Sequence, residues 1–94
     1  EVLYRHPAVL EAAVFGVPDD KWGEAVWAAV HRREGHDHVG GDELIAFCRE
    51  WLGGYKVPKG IDLHAELLPK SGPGKFLKRS LRAPYWEGRE RAVN

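Results

Sequence analysis

The sequence predicts an α+β domain: a small three-stranded, mainly antiparallel sheet packed with helices. Three observations lead there. Residues 24–32 and 60–67 alternate apolar with polar side chains, and residues 11–17 form a short apolar run bounded by Pro18-Asp19-Asp20. Residues 42–52 carry Leu44, Ile45, Phe47, Cys48, Trp51 and Leu52 at helical spacing. Glycine or proline punctuates each junction, as a chain that changes direction between short elements requires.

In chain order, residues 2–5 read as the end of a helix. His6-Pro7 stops it, because a residue before proline is pushed out of the α region. The first strand covers 11–17. The second covers 24–32, with Val26, Ala28 and Val30 on one face and Trp27 and His31 on the other. Trp27 is placed to cover a second layer or an interdomain surface. Residues 34–41 are a polar, glycine-containing loop. The helix over 42–52 opens on Asp42 and Glu43, where the positive end of its dipole favours carboxylates, and Gly53-Gly54 ends it. In the third strand Ile61, Leu63, Ala65 and Leu67 point one way and Asp62, His64 and Glu66 the other. Residues 76–82 read as a basic amphipathic helix ended by Pro84, and 87–94 as a polar tail after a domain over 1–86.

Ninety-four residues make one small domain with little volume to spare for a closed active site. The absence of methionine, with Glu1 in mid-pattern, reads as a piece of a longer protein. No apolar run approaches the ~20 residues of a membrane span, and no signal peptide is visible. Cys48 alone cannot form an internal disulfide, which suits a cytoplasmic location, and its place on the apolar helix face marks it as buried filler. The net charge is zero but divided. Residues 1–55 hold five Lys or Arg against ten Asp or Glu, and residues 56–94 hold nine against four. The basic second half fits a phosphate-bearing ligand or the acidic rim of a partner, and equally an ordinary solvated surface.

The stretch from Leu68 to Arg79 is the most informative. Gly72-Pro73-Gly74 strips bulk from a turn and sets Lys75 at its tip, after a strand and before a helix. A Walker A reading fails, because the loop's first glycine is missing and Phe76 stands where the Ser/Thr magnesium ligand belongs. The stretch resembles the closing motif of the adenylate-forming superfamily of acyl-CoA synthetases, peptide-synthetase adenylation domains and luciferases. Four other blocks resemble that superfamily's C-terminal domain in order and spacing: His6-Pro7-Ala8-Val9 with the run from Glu11 to Asp19, Asp20 to Glu24 with the strand from Val26 to Val30, Tyr55-Lys56-Val57-Pro58-Lys59, and Leu81-Arg82 with Tyr85-Trp86. Ser71 departs from the commoner threonine, and Gly60 and Asp62 make the third strand less apolar than usual.

The resemblance implies that Lys75 is the catalytic lysine of adenylation, with Gly74 beside it. It implies that the turn at Trp22, Gly23 and Glu24 faces the other domain when the thioester forms, with Gly23 letting the backbone near the pantetheine arm. Lys56 and Lys59 become candidates for the phosphates of coenzyme A. ATP, Mg²⁺ and CoA are the implied substrates of a full-length enzyme. The missing N-terminal AMP-binding domain is the implied partner, and long- or medium-chain fatty-acid metabolism the nearest setting. The fragment alone is expected to be inactive and to bind none of these tightly. The bland alternatives are a hairpin turn with a solvated Glu24 and a solvated lysine pair. His36-Asp37-His38 lacks further ligands at plausible spacing, so no metal site is assigned. Rival readings are an adenylation domain loading a carrier protein, a luciferase-like enzyme, and a free-standing anion- or nucleotide-binding module. No nucleic acid is expected as a partner.

Overall fold

The computed structural model describes residues 2–88. In order come a 3-10 turn (Leu3–Arg5), β1 (Val9–Asp19), β2 (Gly23–Arg32), α1 (Gly41–Arg49), a second 3-10 turn (Gly54–Lys56), β3 (Gly60–His64) and α2 (Lys78–Trp86). Beyond Gly88, the expected polar tail lies outside the described residues. The sheet order is β1-β2-β3.

The sheet is mixed. β1 and β2 form a long hairpin of ten antiparallel pairs, and β2 and β3 pair in parallel over five, from Trp27↔Gly60 to His31↔His64. The parallel pair follows from connectivity: residues 33–59, with α1 among them, return the chain to the starting end of β2 before β3 begins.

Both faces of the sheet are covered, which is why β1 reads as an apolar run and not as an alternation. Under α1, Ala12, Ala28 and Val30 pack with Leu44 and Cys48. Under α2, Ala13, Phe15, Val17 and Ala29 pack with Leu68 and Leu81, and Trp27, Phe76 and Tyr85 border them. Trp27 thus covers a second layer. Its indole lies over Gly60, where a side chain would collide with the ring, and its Nε1 donates to Asp62 (3.2 Å). The Tyr85 hydroxyl lies 2.7 Å from both carboxylate oxygens of Asp62. Burial, and then the hydrogen bond and charge of Asp62, push the Tyr85 phenol up to about 12. Gly60 and Asp62, the two unusual residues of β3, therefore receive Trp27 and anchor α2.

Five boundaries differ from the sequence expectation, each for a reason the packing supplies. Residues 2–5 contain only the 3-10 turn Leu3–Arg5, although the chain does become extended at His6 before Pro7. β3 ends at His64, its last partner being His31, and the chain then bends so that Leu68 enters the core; Leu67 is left exposed. Phe76 belongs to a loop neck paired with Lys70, so α2 starts two residues later. Pro84 does not end that helix but sits inside it. Proline removes one backbone bond, yet Tyr85 is held by Asp62 and the Trp86 Nε1 by the Gly16 carbonyl (2.9 Å), which keeps the last turn in place. α1 likewise stops at Arg49, leaving Trp51 half exposed beneath the Arg5 guanidinium, 4.5 Å from the ring centre.

β1 is an edge strand, and its free side is blocked. The Tyr4 hydroxyl accepts from Ala12 N–H (3.0 Å) and donates to Ala12 C=O (3.1 Å), Trp86 occupies the Gly16 carbonyl, and Pro18 has no N–H to offer. Such devices discourage pairing with another chain. Buried His6 ties the start of the domain to α1: Nδ1 accepts from Ala8 N–H (3.0 Å), which leaves Nε2 to donate to Glu43 (3.1 Å).

Candidate functional site

The lysine loop is a miniature hairpin. Leu77 N–H donates to Pro69 C=O (2.9 Å), Lys70 bridges to Phe76, and Ser71 N–H donates to Lys75 C=O (2.8 Å). Gly74 N–H closes the tip on Ser71 C=O (2.9 Å). Gly74 has φ +90°, a left-handed conformation that glycine alone adopts without strain. This fixes the Lys75 backbone while Gly72, Pro73, Gly74 and Lys75 stay exposed.

The other lysines separate into engaged and free. Lys70 pairs with Glu11 (2.5 Å), donates to Leu68 C=O (3.1 Å) and sits over the Phe76 ring. Lys59 pairs with Asp19 (3.4 Å), Lys21 lies over Trp22, and Lys56 over Tyr55. Among the described residues, Lys75 and Lys78 have no such partner. Lys75 is thus a cation on a rigid loop with its ammonium available, a geometry suited to charge stabilisation in a site supplied by another surface.

Beneath the hairpin, Glu11 grips two groups. Its Oε1 accepts Leu68 N–H (2.8 Å) and its Oε2 meets the Lys70 ammonium. Burial raises the Glu11 pKa, but the Lys70 hydrogen bond, the Leu68 N–H and the Lys70 charge together outweigh it, holding the carboxyl below its ordinary value.

The β1–β2 turn carries the second set. Asp19 Oδ1 accepts from Lys21 N–H and Trp22 N–H (2.9 Å each), and these bonds, with Lys59, depress the Asp19 pKa. Gly23, at φ +84°, completes the turn. Glu24 leans across onto Gly16, whose missing side chain leaves it room. Trp22 (68% exposed) and Tyr55 (83% exposed) stand with Glu24, Val26, Gly54 and Lys59 around an open cavity of about 650 Å³. Lys59 is held there by its backbone N–H on Val26 C=O (2.8 Å). Lys56 lines a neighbouring apolar cavity of about 400 Å³ with Val2, Val14 and Cys48.

Trp22, Glu24 and Lys59 are therefore brought together, Gly23 shapes their turn, and Lys56 stands one cavity away. Lys75 with Gly74 is not among them. The Glu11 grip and the Asp19 turn lie at opposite ends of β1, eight residues apart, or roughly 27 Å at ~3.4 Å per residue. Sequence reasoning missed Tyr55 as part of the cavity, and Glu11 and Lys70 as the support of the hairpin. The only signal was a charged residue at the head of an apolar run and another at the base of a turn. Among the described residues no three His, Cys, Asp or Glu side chains are grouped to hold a metal, and no helix is long and apolar enough to cross a membrane.

Comparison with known proteins gives one family. The chain is 46% identical over 83 residues to feruloyl-CoA synthase of an Amycolatopsis species, covering 88% of this chain and 16% of the relative. It is 46% identical over 82 residues to the long-chain-fatty-acid–CoA ligase of Yersinia pestis, covering 87% and 14%. The solved acyl-CoA synthetase of Brucella canis superposes with a TM-score of 0.83 at 37% identity, over 95% of this chain and 17% of that one. The chain thus spans about a sixth of the length of the proteins it matches. Residues 1–75 match the family model described as AMP-binding enzyme C-terminal domain, and with relatives this similar the chain belongs to that family.

Proposed function

We propose that this chain is the mobile C-terminal domain of an ATP-dependent acyl-CoA synthetase, which converts a carboxylic acid, ATP and CoA to acyl-CoA, AMP and pyrophosphate. The observation that carries the reading is the placement of Lys75: a partner-free ammonium on a braced hairpin, at the opposite end of β1 from an aromatic, lysine-bordered cavity. Two ends with different chemistry suit two half-reactions.

In the first, the substrate carboxylate attacks the α-phosphorus of ATP in line and pyrophosphate leaves. Lys75 reaches both the carboxylate and the α-phosphate, aligning the attack and offsetting the charge that builds on the oxygens. It acts as a protonated cation throughout. In the second, the domain turns its other end to the N-terminal domain, and the CoA thiol attacks the acyl adenylate carbonyl and expels AMP. There Gly23 leaves the backbone bare for the pantetheine arm, Trp22 and Tyr55 offer π faces to the adenine, and Lys59 and Lys56 meet the phosphates. Among the described residues no three metal-ligating side chains are grouped, and this reading assigns Mg²⁺ with ATP to the N-terminal domain.

The test is product formation by the full-length enzyme carrying this domain. Given ATP, Mg²⁺, CoA and a panel of aliphatic and aromatic acids, it should release AMP and pyrophosphate in step with acyl-CoA. Adenylate formation without transfer to CoA, but with transfer to a carrier protein's phosphopantetheine, would replace this reading with the carrier-loading one. No pyrophosphate release with any acid would remove both.

A further inference from the structure

We propose that Glu11 and Lys70 are positioning residues for adenylation: their ion pair sets the angle at which the hairpin presents Lys75. The inference rests on the adenylation role given to Lys75 above. The hairpin joins the domain through a neck at Lys70 and Phe76; Leu68 and Phe76 pack on the apolar side chains of the sheet, and Glu11 adds the polar grip. One carboxylate oxygen takes Leu68 N–H before the neck and the other takes the Lys70 ammonium in it. Lys70 closes the clamp on Leu68 C=O and lies 5.4 Å from the centre of the Phe76 ring on the opposite side of the neck. Two groups therefore meet the carboxylate directly, and the Lys70 ammonium links it onward to the Leu68 carbonyl and to the Phe76 ring across the neck.

The charges in this clamp are only partly solvated, with side-chain exposures of 14% for Glu11 and 30% for Lys70. A partly buried pair costs desolvation that an apolar neck would avoid, so net stability is a weak reason for its presence. Its directionality is a better one. The Lys75 ammonium reaches about 10 Å beyond the neck, one ~3.8 Å Cα step plus an extended side chain. A swing of about 10° at the neck would then displace the ammonium by roughly 2 Å, beyond the ~0.5 Å within which catalytic groups must be held. The clamp also engages the charge of Lys70, so that of the two lysines in the hairpin only Lys75 presents a free cation to the partner domain.

The experiment measures both half-reactions in the full-length enzyme for Glu11→Gln, Lys70→Met, Lys70→Arg, the double variant and Lys75→Ala. Glu11→Gln keeps an acceptor for Leu68 N–H, and Lys70→Met keeps the length of the stem, so the fold has little reason to fail; thermal melts verify it. Lys70→Met and Glu11→Gln should lower kcat for adenylation about tenfold or more, with KM for ATP and acid within about twofold, since misplacement by ~1 Å can cost about 10²-fold. Lys70→Arg should restore most of the rate, the double variant should lose little more than either single one, and thioester formation from supplied acyl adenylate should be unchanged. Unaltered adenylation in the Glu11 and Lys70 variants, with Lys75→Ala still inactive, would overturn the clamp and leave the Lys75 reading standing. Equal loss in both half-reactions would reduce the pair to a structural role and overturn it too. Full adenylation by Lys75→Ala would remove the lysine reading and this inference with it.

Discussion

Replacing Tyr85 by phenylalanine keeps the ring between Trp27 and Phe15, at centroid distances of 5.3 and 6.3 Å, and deletes only the hydroxyl held by Asp62. A hydrogen bond to a charged group contributes roughly 1.5–3 kcal/mol. Asp62 keeps the Trp27 N–H and is only partly buried, so the loss should sit at the low end, about 1.5 kcal/mol. For a domain of this size that lowers Tm by roughly 6–12 °C. The pH dependence gives an independent check. The folded Tyr85 titrates at about 12 against an ordinary 10.0, so its stabilisation is complete below pH 10 and is lost as pH rises from 10 towards 12. A two-unit shift corresponds to at most ~2.7 kcal/mol, and solvent screening of a partly exposed group reduces that to ~1–2. Urea melts of the parent chain and Tyr85→Phe at pH 7, 10 and 11.5 would measure both quantities. The gap between the two proteins should be about 1.5 kcal/mol at pH 7 and close between pH 10 and 12. A gap below 0.5 kcal/mol at pH 7 that does not change with pH would refute the anchoring of α2 through Asp62.

Trp22→Ala and Tyr55→Ala in the full-length enzyme should each raise KM for CoA by roughly 5- to 150-fold, the range of ~1–3 kcal/mol per stacked base, while adenylation kinetics stay as they were. Acid should weaken the domain through Glu11 and Asp19, whose folded pKa values lie below the ordinary 4.5 and 3.8. Their contribution is complete above those values and is lost as pH falls through the lower folded ones, so Glu11→Gln should flatten thermal melts recorded from pH 5 to pH 2. The 94-residue chain alone should fold and bind ATP and CoA only at millimolar concentration, about −4 kcal/mol. Amide shifts should be small and salt-sensitive near Lys56, Lys59 and Lys75 to Arg79, whereas micromolar saturable binding would show a self-contained site.

The parts of the fold legible in the sequence are those set by periodicity and turn chemistry. The hairpin of β1 and β2, the start of α1 and the glycine-shaped lysine loop all follow from residues close in the chain. What was not legible depends on contacts between distant residues. Pro84 marks a helix end by local rules, but Asp62 and the Gly16 carbonyl hold Tyr85 and Trp86 and carry α2 past it. Leu67 fits the strand alternation, but Leu68 must enter the core under α2, so β3 stops at His64. Gly60 and Asp62 look like weaknesses of a strand until the indole of Trp27 is seen over one and bonded to the other. At the candidate site, the exposed position of Lys75 was legible because glycines announce exposed loops. Glu11 was not, because nothing local distinguishes a carboxylate that reaches a residue 57 positions away.

In the proposed function, one end of this domain serves adenylation and the other thioester formation. The direct measurement is rapid-quench analysis of Lys75→Ala in the full-length enzyme, with each half-reaction followed separately. Loss of one transition-state donor predicts acyl-adenylate formation slowed by roughly 10²–10³-fold or more, with thioester formation from supplied acyl adenylate largely retained. Equal loss in both half-reactions would contradict the separation of the two ends, and near-normal adenylation would contradict the role of Lys75 itself.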